Sequence, residues 1–112
     1  MRLTEAERKV MDTVWGGENV TAKEIAAALA ESTGWSKTTS YTMITRCISK
    51  GYLERRSPNY ICVSTLSKNE AAKSDALELL SNYYGGDPHR MLADLLAQAV
   101  LCRDDLQKAL EG

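Results

Sequence analysis

Hydroxyl and cationic side chains share one face of a helix predicted for residues 36–50. At about 100° per residue this face carries five residues with two more at its edges: Thr38, Thr42, Thr45, Arg46 and Ser49, flanked by Thr39 and Lys50. No carboxylate occurs from Ser32 to Leu53. Hydroxyls donate and accept hydrogen bonds, and Arg binds guanine through two parallel bonds, so this face suits phosphates and base edges. A solvated polar face is the alternative interpretation.

The opposite face of the same helix is apolar, which predicts that this side packs inward. It carries Met43, Ile44, Cys47 and Ile48. Ser36 is placed to cap the N-terminus of the helix, and Gly51 can adopt the left-handed conformation that ends one.

Two shorter helices are predicted before this one. Thr4 with Glu7 and Thr21 with Glu24 have the spacing of capping boxes, and an apolar stripe follows each pair. The first helix ends before Gly16-Gly17 and the second at Thr33-Gly34. A short Gly-containing connection to the cationic helix is what a helix-turn-helix needs.

After Gly51 the pattern changes to that of strands. Residues 52–56 and 60–64 are rich in aromatic and β-branched residues and flank the turn signal Ser-Pro-Asn at 57–59, which predicts a hairpin. Three helices followed by a hairpin are typical of a winged helix. Arg55 and Arg56, near the hairpin tip, are interpreted as phosphate contacts; the alternative is that they only protect an exposed strand edge.

The charge of the chain is unevenly distributed, although the net charge is only −1. Residues 1–31 carry −2, residues 32–69 carry +5 and residues 70–112 carry −4. A basic middle between acidic ends is a localised electrostatic footprint, and local potential governs binding to a polyanion more than the total charge does.

The C-terminal third predicts further helices with more apolar surface than a small winged helix can cover. Ser67 with Glu70 is a third capping box, Asp87-Pro88 begins the next helix, and a break is expected near Arg103, with Asp104 or Asp105 as cap. Association with a second copy would bury the apolar residues; packing back onto the same domain is the competing explanation. The residues predicted for dimerisation are Leu77, Leu80, Tyr84, Met91, Leu92, Leu95, Leu96 and Val100.

Composition narrows the class of protein. The 112 residues have globular composition, and no apolar run approaches the ~20 residues of a membrane span, so a cytoplasmic location and no membrane partner are expected. Cys47 and Cys62 are interpreted as core residues, and Cys102 stays open. No metal spacing, phosphate loop or catalytic set occurs, and His89 stands alone at a helix start. We therefore expect no enzyme activity, no cofactor and no metal.

Residues 1 to about 70 resemble the penicillinase repressor family of bacterial winged helix repressors. The resemblance depends on the segments LTEAERKVMDTVW, VTAKEIAAAL and GWSKTTSYTMITRCISKGYLERR, and on the hairpin to Val63. It implies a third helix in the major groove of a palindromic operator, a wing on phosphates and a homodimer made by C-terminal helices. Carried over by position, Thr39, Thr42 and Arg46 would contact the groove, and Lys50, Arg55 and Arg56 the DNA backbone.

Two signals known in the family are absent from this sequence. Members that control β-lactamase are cleaved at an Asn-Phe bond, where this chain has Asp94-Leu95, and copper-responsive members end in two Cys-x-Cys pairs, where it has Cys102 alone.

We predict a mainly α protein with a small β-hairpin: a winged helix DNA-binding domain at 1–66 and a helical dimerisation region at 67–112. The alternative function is a winged helix module that binds another protein.

Overall fold

A computed structural model describes residues 3–112 of the chain. These residues form six helices and two strands in the order expected of a winged helix followed by further helices. The elements are α1 (Glu5–Trp15), α2 (Ala22–Thr33), α3 (Lys37–Ser49), β1 (Leu53–Arg56), β2 (Ile61–Ser64), α4 (Lys68–Tyr84), α5 (Pro88–Ala97) and α6 (Arg103–Glu111). The predicted fold class, mainly α with a small hairpin, is confirmed.

Local capping interactions determine where the first helices begin. The Thr4 hydroxyl accepts from the Glu7 backbone N–H, and a carboxylate oxygen of Glu7 accepts from the Thr4 backbone N–H at 2.9 Å. Thr21 and Glu24 make the same reciprocal pair at the start of α2. Each pair satisfies two N–H groups that the helix itself leaves without partners. All three capping boxes predicted from the sequence are confirmed, since Ser67 and Glu70 make the same reciprocal bonds at the start of α4.

The core of the first compact unit lies among α1, α2, α3 and the hairpin. The larger side chains that are fully buried there are Val10, Met11, Ile25, Ile44 and Cys47. Trp35, which precedes α3, packs against this core. The α3 helix is therefore attached to the rest of the unit through the apolar face that the sequence predicted.

The hairpin is joined to the chain segment before α2. β1 and β2 are antiparallel, with Leu53 opposite Ser64, and each strand begins one residue later than predicted. The Val20 carbonyl accepts from the Cys62 N–H at 2.8 Å, and the Ala22 N–H donates to the Tyr60 carbonyl at 3.0 Å. These bonds join residues 20–22 to the hairpin as a short third partner.

A second compact unit begins after Ser74, within α4, and includes α5 and α6. Inside this unit the Tyr84 hydroxyl donates to a carboxylate oxygen of Asp94 at 2.9 Å, which links α4 to α5. Asp87 caps α5 by accepting from the His89 N–H, and Pro88 is its first residue, both as predicted. None of the helices within residues 3–112 is long and apolar enough to cross a membrane.

The break between α5 and α6 falls earlier than predicted. Helix α5 ends at Ala97 and Ala99 has a φ of 58°, so Val100 lies in a turn and not on α5. Cys102 is the N-cap residue of α6, and its N–H donates to the Asp105 carboxylate at 2.9 Å. The prediction that Asp104 or Asp105 is the N-cap residue was wrong, although the Asp105 carboxylate does take part in the cap from the third helical position. The start of the turn was missed because no Gly or Pro marks it and Val100 continued the apolar period.

Candidate nucleic-acid interface

The exposed face of α3 consists of the hydroxyl and cationic residues singled out in the sequence. Ser36 caps the helix by accepting from the Thr39 N–H at 3.1 Å, which fixes where the first turn begins. Ser40, Ile44 and Cys47 are buried, and they hold one side of the helix against the core. The side chains on the other side are exposed, as the helical period requires: Thr38, Thr39, Thr42, Thr45, Arg46 and Ser49.

The threonines of this face differ in the hydrogen bonds that they still offer. The Thr42 hydroxyl donates to the Thr38 carbonyl at 2.9 Å, so it presents acceptor lone pairs and a methyl group outward. The Thr39 hydroxyl accepts from the Ser36 hydroxyl at 3.0 Å and keeps its own proton to donate. Thr42 can therefore accept from a base amino group, whereas Thr39 can donate to a phosphate or a base carbonyl.

An open groove runs along the N-terminal half of α3. It is lined by Lys37, Thr38, Tyr41, Thr42 and Thr45. Lys37 and Tyr41 are not among the residues predicted to contact DNA. Because Lys37 is exposed and Tyr41 is half-buried, they extend the polar face towards the hairpin.

Aromatic and cationic side chains connect the hairpin to α3. The Arg55 guanidinium carbon lies 3.8 Å from the centre of the Tyr60 ring. The Tyr60 and Tyr41 rings meet edge to face, with centres 6.1 Å apart, and the Lys37 ammonium lies 5.9 Å from the centre of the Tyr41 ring. Cations stacked on ring faces are attracted to their π electrons, so Arg55 is held beside α3.

Arg56 has different surroundings from Arg55. Its guanidinium pairs with the Glu54 carboxylate at 3.2 Å, and both side chains are more than half exposed. Successive strand residues point to opposite faces, so Arg55 and Arg56 project from different sides of β1. The sequence treated the two arginines alike, but only Arg55 contacts the aromatic pair, and an exposed ion pair such as Arg56 with Glu54 holds its partners weakly.

Lys50, the third cation predicted to contact the DNA backbone, has a partner inside the protein. Its ammonium lies 2.6 Å from Oε2 of Glu7, and the Glu7 side chain is completely buried. Burial raises the pKa of Glu7, but the Lys50 ammonium and the Thr4 N–H outweigh it, and the pKa lies below its ordinary value. Glu7 is thus ionised at neutral pH, and the carboxylate binds Lys50 from the α1 side.

The burial of Glu7 could have been predicted from the sequence, from its position relative to the apolar residues of α1. Glu7 precedes Val10, Met11 and Val14 at spacings of three, four and seven, so it lies on the apolar stripe of α1. We interpreted it only as the third residue of a capping box. Glu7 is a capping residue and a buried residue at the same time, because one carboxylate oxygen caps the helix and the other pairs with Lys50.

The cysteines do not assemble a reactive or metal-binding site. Cys47 and Cys62 are buried free thiols, as predicted, and Cys102 is exposed. Burial raises the pKa of Cys47 to about 11, and it also raises the pKa of Cys62. Within residues 3–112, no three His, Cys, Asp or Glu side chains are grouped closely enough to hold a metal ion.

The residues predicted for dimerisation fall into two groups. Leu77, Leu96 and Val100 are exposed, by 65%, 40% and 71%. The others are partly buried within the single chain: Leu80, Tyr84, Met91, Leu92 and Leu95. Within the described range, every large hydrophobic residue that is exposed lies in the second compact unit, and this set also includes Leu79, Tyr83 and Leu110, which the prediction omitted.

Comparison with known proteins gives consistent matches over nearly the whole chain. The family model described as penicillinase repressor matches residues 3–111. The penicillinase repressor of Bacillus licheniformis is 26% identical, and the alignment covers 96% of this chain and 85% of that protein. The methicillin resistance regulatory protein MecI of Staphylococcus aureus (strain N315) is 22% identical, with 95% and 88% covered.

Two solved structures share the fold of part of the chain. The solution structure of the DNA binding domain of the repressor BlaI has a TM-score of 0.56 and 24% identity, and the match covers 62% of this chain and 93% of that one. The monomeric form of Bacillus licheniformis BlaI in complex with the blaP half-operator has a TM-score of 0.54 at the same identity, covering 62% and 88%. These likenesses support a winged helix architecture.

Proposed function

The chain belongs to the penicillinase repressor family, and from this premise we propose that it is a transcriptional repressor that binds a DNA operator as a homodimer. In this proposal α3 enters the major groove, the hairpin lies against the sugar-phosphate backbone, and the two subunits read the halves of a palindromic site. Residues 1–66 act as the DNA-binding domain and residues 67–112 as the dimerisation region.

The observation that carries the proposal is the exposed face of α3. Thr38, Thr42, Thr45 and Arg46 are all exposed, and the segment from Ser32 to Leu53 contains no carboxylate that would repel phosphate. An exposed helix face gains stability from Glu–Lys pairs and good helix formers, whereas Thr is a poor one. Contact with a polyanion explains this choice of residues better than helix stability does.

Each residue of the interface has a proposed role. Arg46 and Thr42 read base edges, Thr39 donates to a base or a phosphate, and Arg55 neutralises a phosphate beside α3. The remaining members of the predicted interface lie around these contacts: Thr38, Thr45, Lys50 and Arg56. Thr38 and Thr45 add hydroxyls, Arg56 adds less charge than Arg55 because Glu54 pairs with it, and the charge of Lys50 is held by Glu7.

The apolar surface of the second unit supports the homodimer. Leu77, Leu96 and Val100 are exposed in the single chain, and a second copy supplies an apolar partner for them. The partly buried members of the predicted set then form the inner edge of the same interface: Leu80, Tyr84, Met91, Leu92 and Leu95. Two-fold symmetry requires half-sites about one helical turn of DNA apart, or a multiple of it.

Selection of bound genomic fragments, followed by binding titrations, tests the proposed function. The chain is expected to bind a selected duplex at least ~10³-fold more tightly than a scrambled duplex of equal length. Its affinity should fall steeply as salt rises, because phosphate contacts release counterions. Equal affinity for the selected and scrambled duplexes would contradict the proposal and would favour a module that binds another protein.

A further inference from the structure

Lys50, the residue that follows α3, forms an ion pair with a buried carboxylate of α1. Lys50 follows α3 as its C-cap residue, and its ammonium lies 2.6 Å from Oε2 of Glu7. The other carboxylate oxygen, Oε1, accepts from the Thr4 N–H at 2.9 Å. Both oxygens of Glu7 are therefore engaged, one by the start of its own helix and one by the end of α3.

Glu7 and Lys50 differ in exposure, so the loss of the ion pair costs more free energy at one of them than at the other. The Glu7 side chain is fully buried, whereas the Lys50 side chain is 44% exposed. A buried carboxylate that loses its counter-charge carries a large desolvation cost, but an exposed ammonium is solvated by water. Lys50 can leave for a phosphate only if Glu7 is left without a charge partner.

We propose that Glu7 is a positioning residue for DNA binding, which anchors the C-terminal end of α3 to α1 through Lys50 and withholds the Lys50 charge from the phosphate backbone. This inference rests on the proposed function, in which α3 faces the duplex. In this arrangement the Lys50 ammonium pairs with Glu7 inside the protein, whereas the Arg55 guanidinium neutralises a phosphate of the DNA.

The salt dependence of duplex binding measures how many cations act on phosphates, because the slope of log K against log salt changes by about 0.9 for each phosphate neutralised. In Glu7→Gln the Lys50 ammonium loses its resident counterion and becomes available to a phosphate. The slope for the selected duplex should therefore steepen by about one unit relative to the parent. Adding Lys50→Met to Glu7→Gln should return the slope to the parent value.

Glu5→Gln is the matched control, because it removes one carboxylate from the same helix. Glu5 is exposed and pairs with Arg8 at 2.9 Å, so its removal does not release Lys50. The slope for Glu5→Gln should equal that of the parent. Equal slopes for Glu7→Gln and Glu5→Gln would overturn the inference, as would a steep slope that persists in the double variant.

If Glu7→Gln folds but is too unstable for the titrations, its unfolding provides a second comparison. If Glu7 pairs with Lys50, the loss of stability in the Glu7→Gln/Lys50→Met double variant should be smaller than the sum of the losses in the two single variants. The difference should correspond to about a tenfold change in the unfolding equilibrium constant. Strict additivity would overturn the pairing. A parent chain without preference for its selected duplex would instead contradict the proposed function, so the two failures are distinguishable.

Discussion

At the residue scale, the proposed interface depends on which hydroxyl and cationic groups are not already engaged in hydrogen bonds or ion pairs within the protein. Thr42 has given its proton to the Thr38 carbonyl, and Thr39 has kept its proton. Arg46 is exposed on the same face, close to the end of the helix. These details give the threonine-rich face distinct acceptor, donor and cationic positions, as the proposed reading of base edges in the major groove requires.

Arg46→Ala should lower affinity for the selected duplex by about 1–3 kcal/mol and reduce discrimination against the scrambled one, if Arg46 reads a base. Titration of both duplexes at one salt concentration measures this. Arg8→Ala, which removes an exposed arginine from α1, serves as the control. Unchanged discrimination in Arg46→Ala would remove this residue from base readout.

Arg55→Ala should weaken binding to all duplexes alike and flatten the salt slope by about one unit, because a cation held beside α3 neutralises one phosphate. Arg56→Ala is a close match in chemistry and position, but Arg56 is already paired with Glu54. A smaller change is therefore expected for it. Slopes that are equal for Arg55→Ala and the parent would show that the stacked arginine does not meet phosphate.

The three thiols should react at very different rates. Burial raises the pKa of Cys47 to about 11 and also raises that of Cys62, whereas Cys102 is exposed. Because the thiolate is the reactive form, an alkylating reagent at pH 8 should label Cys102 first. Mass spectrometry of the native protein measures the sites, with Cys102→Ser as control. Labelling of Cys47 at the rate of Cys102 would contradict the buried packing of α3.

At the element scale, the position of α3 depends on contacts at both of its ends. The capped start at Ser36 and the apolar side carrying Ile44 and Cys47 orient the helix, and the ion pair between Lys50 and Glu7 ties its end to α1. The polar face keeps its orientation only as long as these attachments hold. We therefore expect its binding properties to respond to changes in α1, which lies outside the predicted interface.

Glu7→Gln should lower the free energy of unfolding at neutral pH by about 1–3 kcal/mol, since it leaves Lys50 beside a neutral amide. The pKa of Glu7 is lowered in the folded chain, so its contribution is present above the ordinary value of 4.5 and is lost as the pH falls through the folded value. The gap between parent and variant should narrow in acid. Denaturant unfolding at pH 7 and pH 3.5 measures it, and a constant gap would argue against an ionised Glu7.

The elements that were predictable have local causes. Thr4 with Glu7, Thr21 with Glu24, and Gly51 act within one or two turns of chain, so their residue types alone indicated where helices begin and end. The turn after Ala97 was missed because nothing in its composition interrupts a helix. The bond between Val20 and Cys62 joins residues more than forty positions apart, and no local pattern in the sequence indicates it.

The site shows the same division between local and distant causes. Exposure of Thr42 and Arg46 follows from the helical period of α3 itself, and the sequence predicted it. Which cation is free and which is paired depends on other elements: Lys50 is held from α1, and Arg55 is stacked on Tyr60 across the hairpin. The sequence therefore predicted which of these side chains are exposed, but not which of the cations already have partners in the protein.

At the scale of the whole molecule, the two compact units differ in how completely they bury apolar side chains. The first unit has the enclosed core, whereas every exposed large hydrophobic residue of the described chain belongs to the second. A repressor that reads a two-fold operator needs such a surface, because binding of a single winged helix gains only the contacts of one half-site. Joining two half-sites raises the effective concentration of the second contact.

Leu77→Asp and Leu96→Asp should each give monomers, because a carboxylate at either exposed position would have to be desolvated in a dimer interface. Sedimentation at increasing protein concentration measures the state. Asn82→Asp, which adds the same charge to an exposed polar position of α4, should remain dimeric. A parent chain that sediments as a monomer at high concentration would refute the homodimer.

Chemical-shift mapping of the backbone amides during titration with the selected duplex tests most directly whether the exposed face of α3 meets DNA. The largest changes are expected within residues 38–46 and near Arg55, and a scrambled duplex at the same salt concentration should leave the amides of Thr42 and Arg46 much less affected. Changes confined to other parts of the chain, with residues 38–46 unperturbed by the selected duplex, would contradict this expectation.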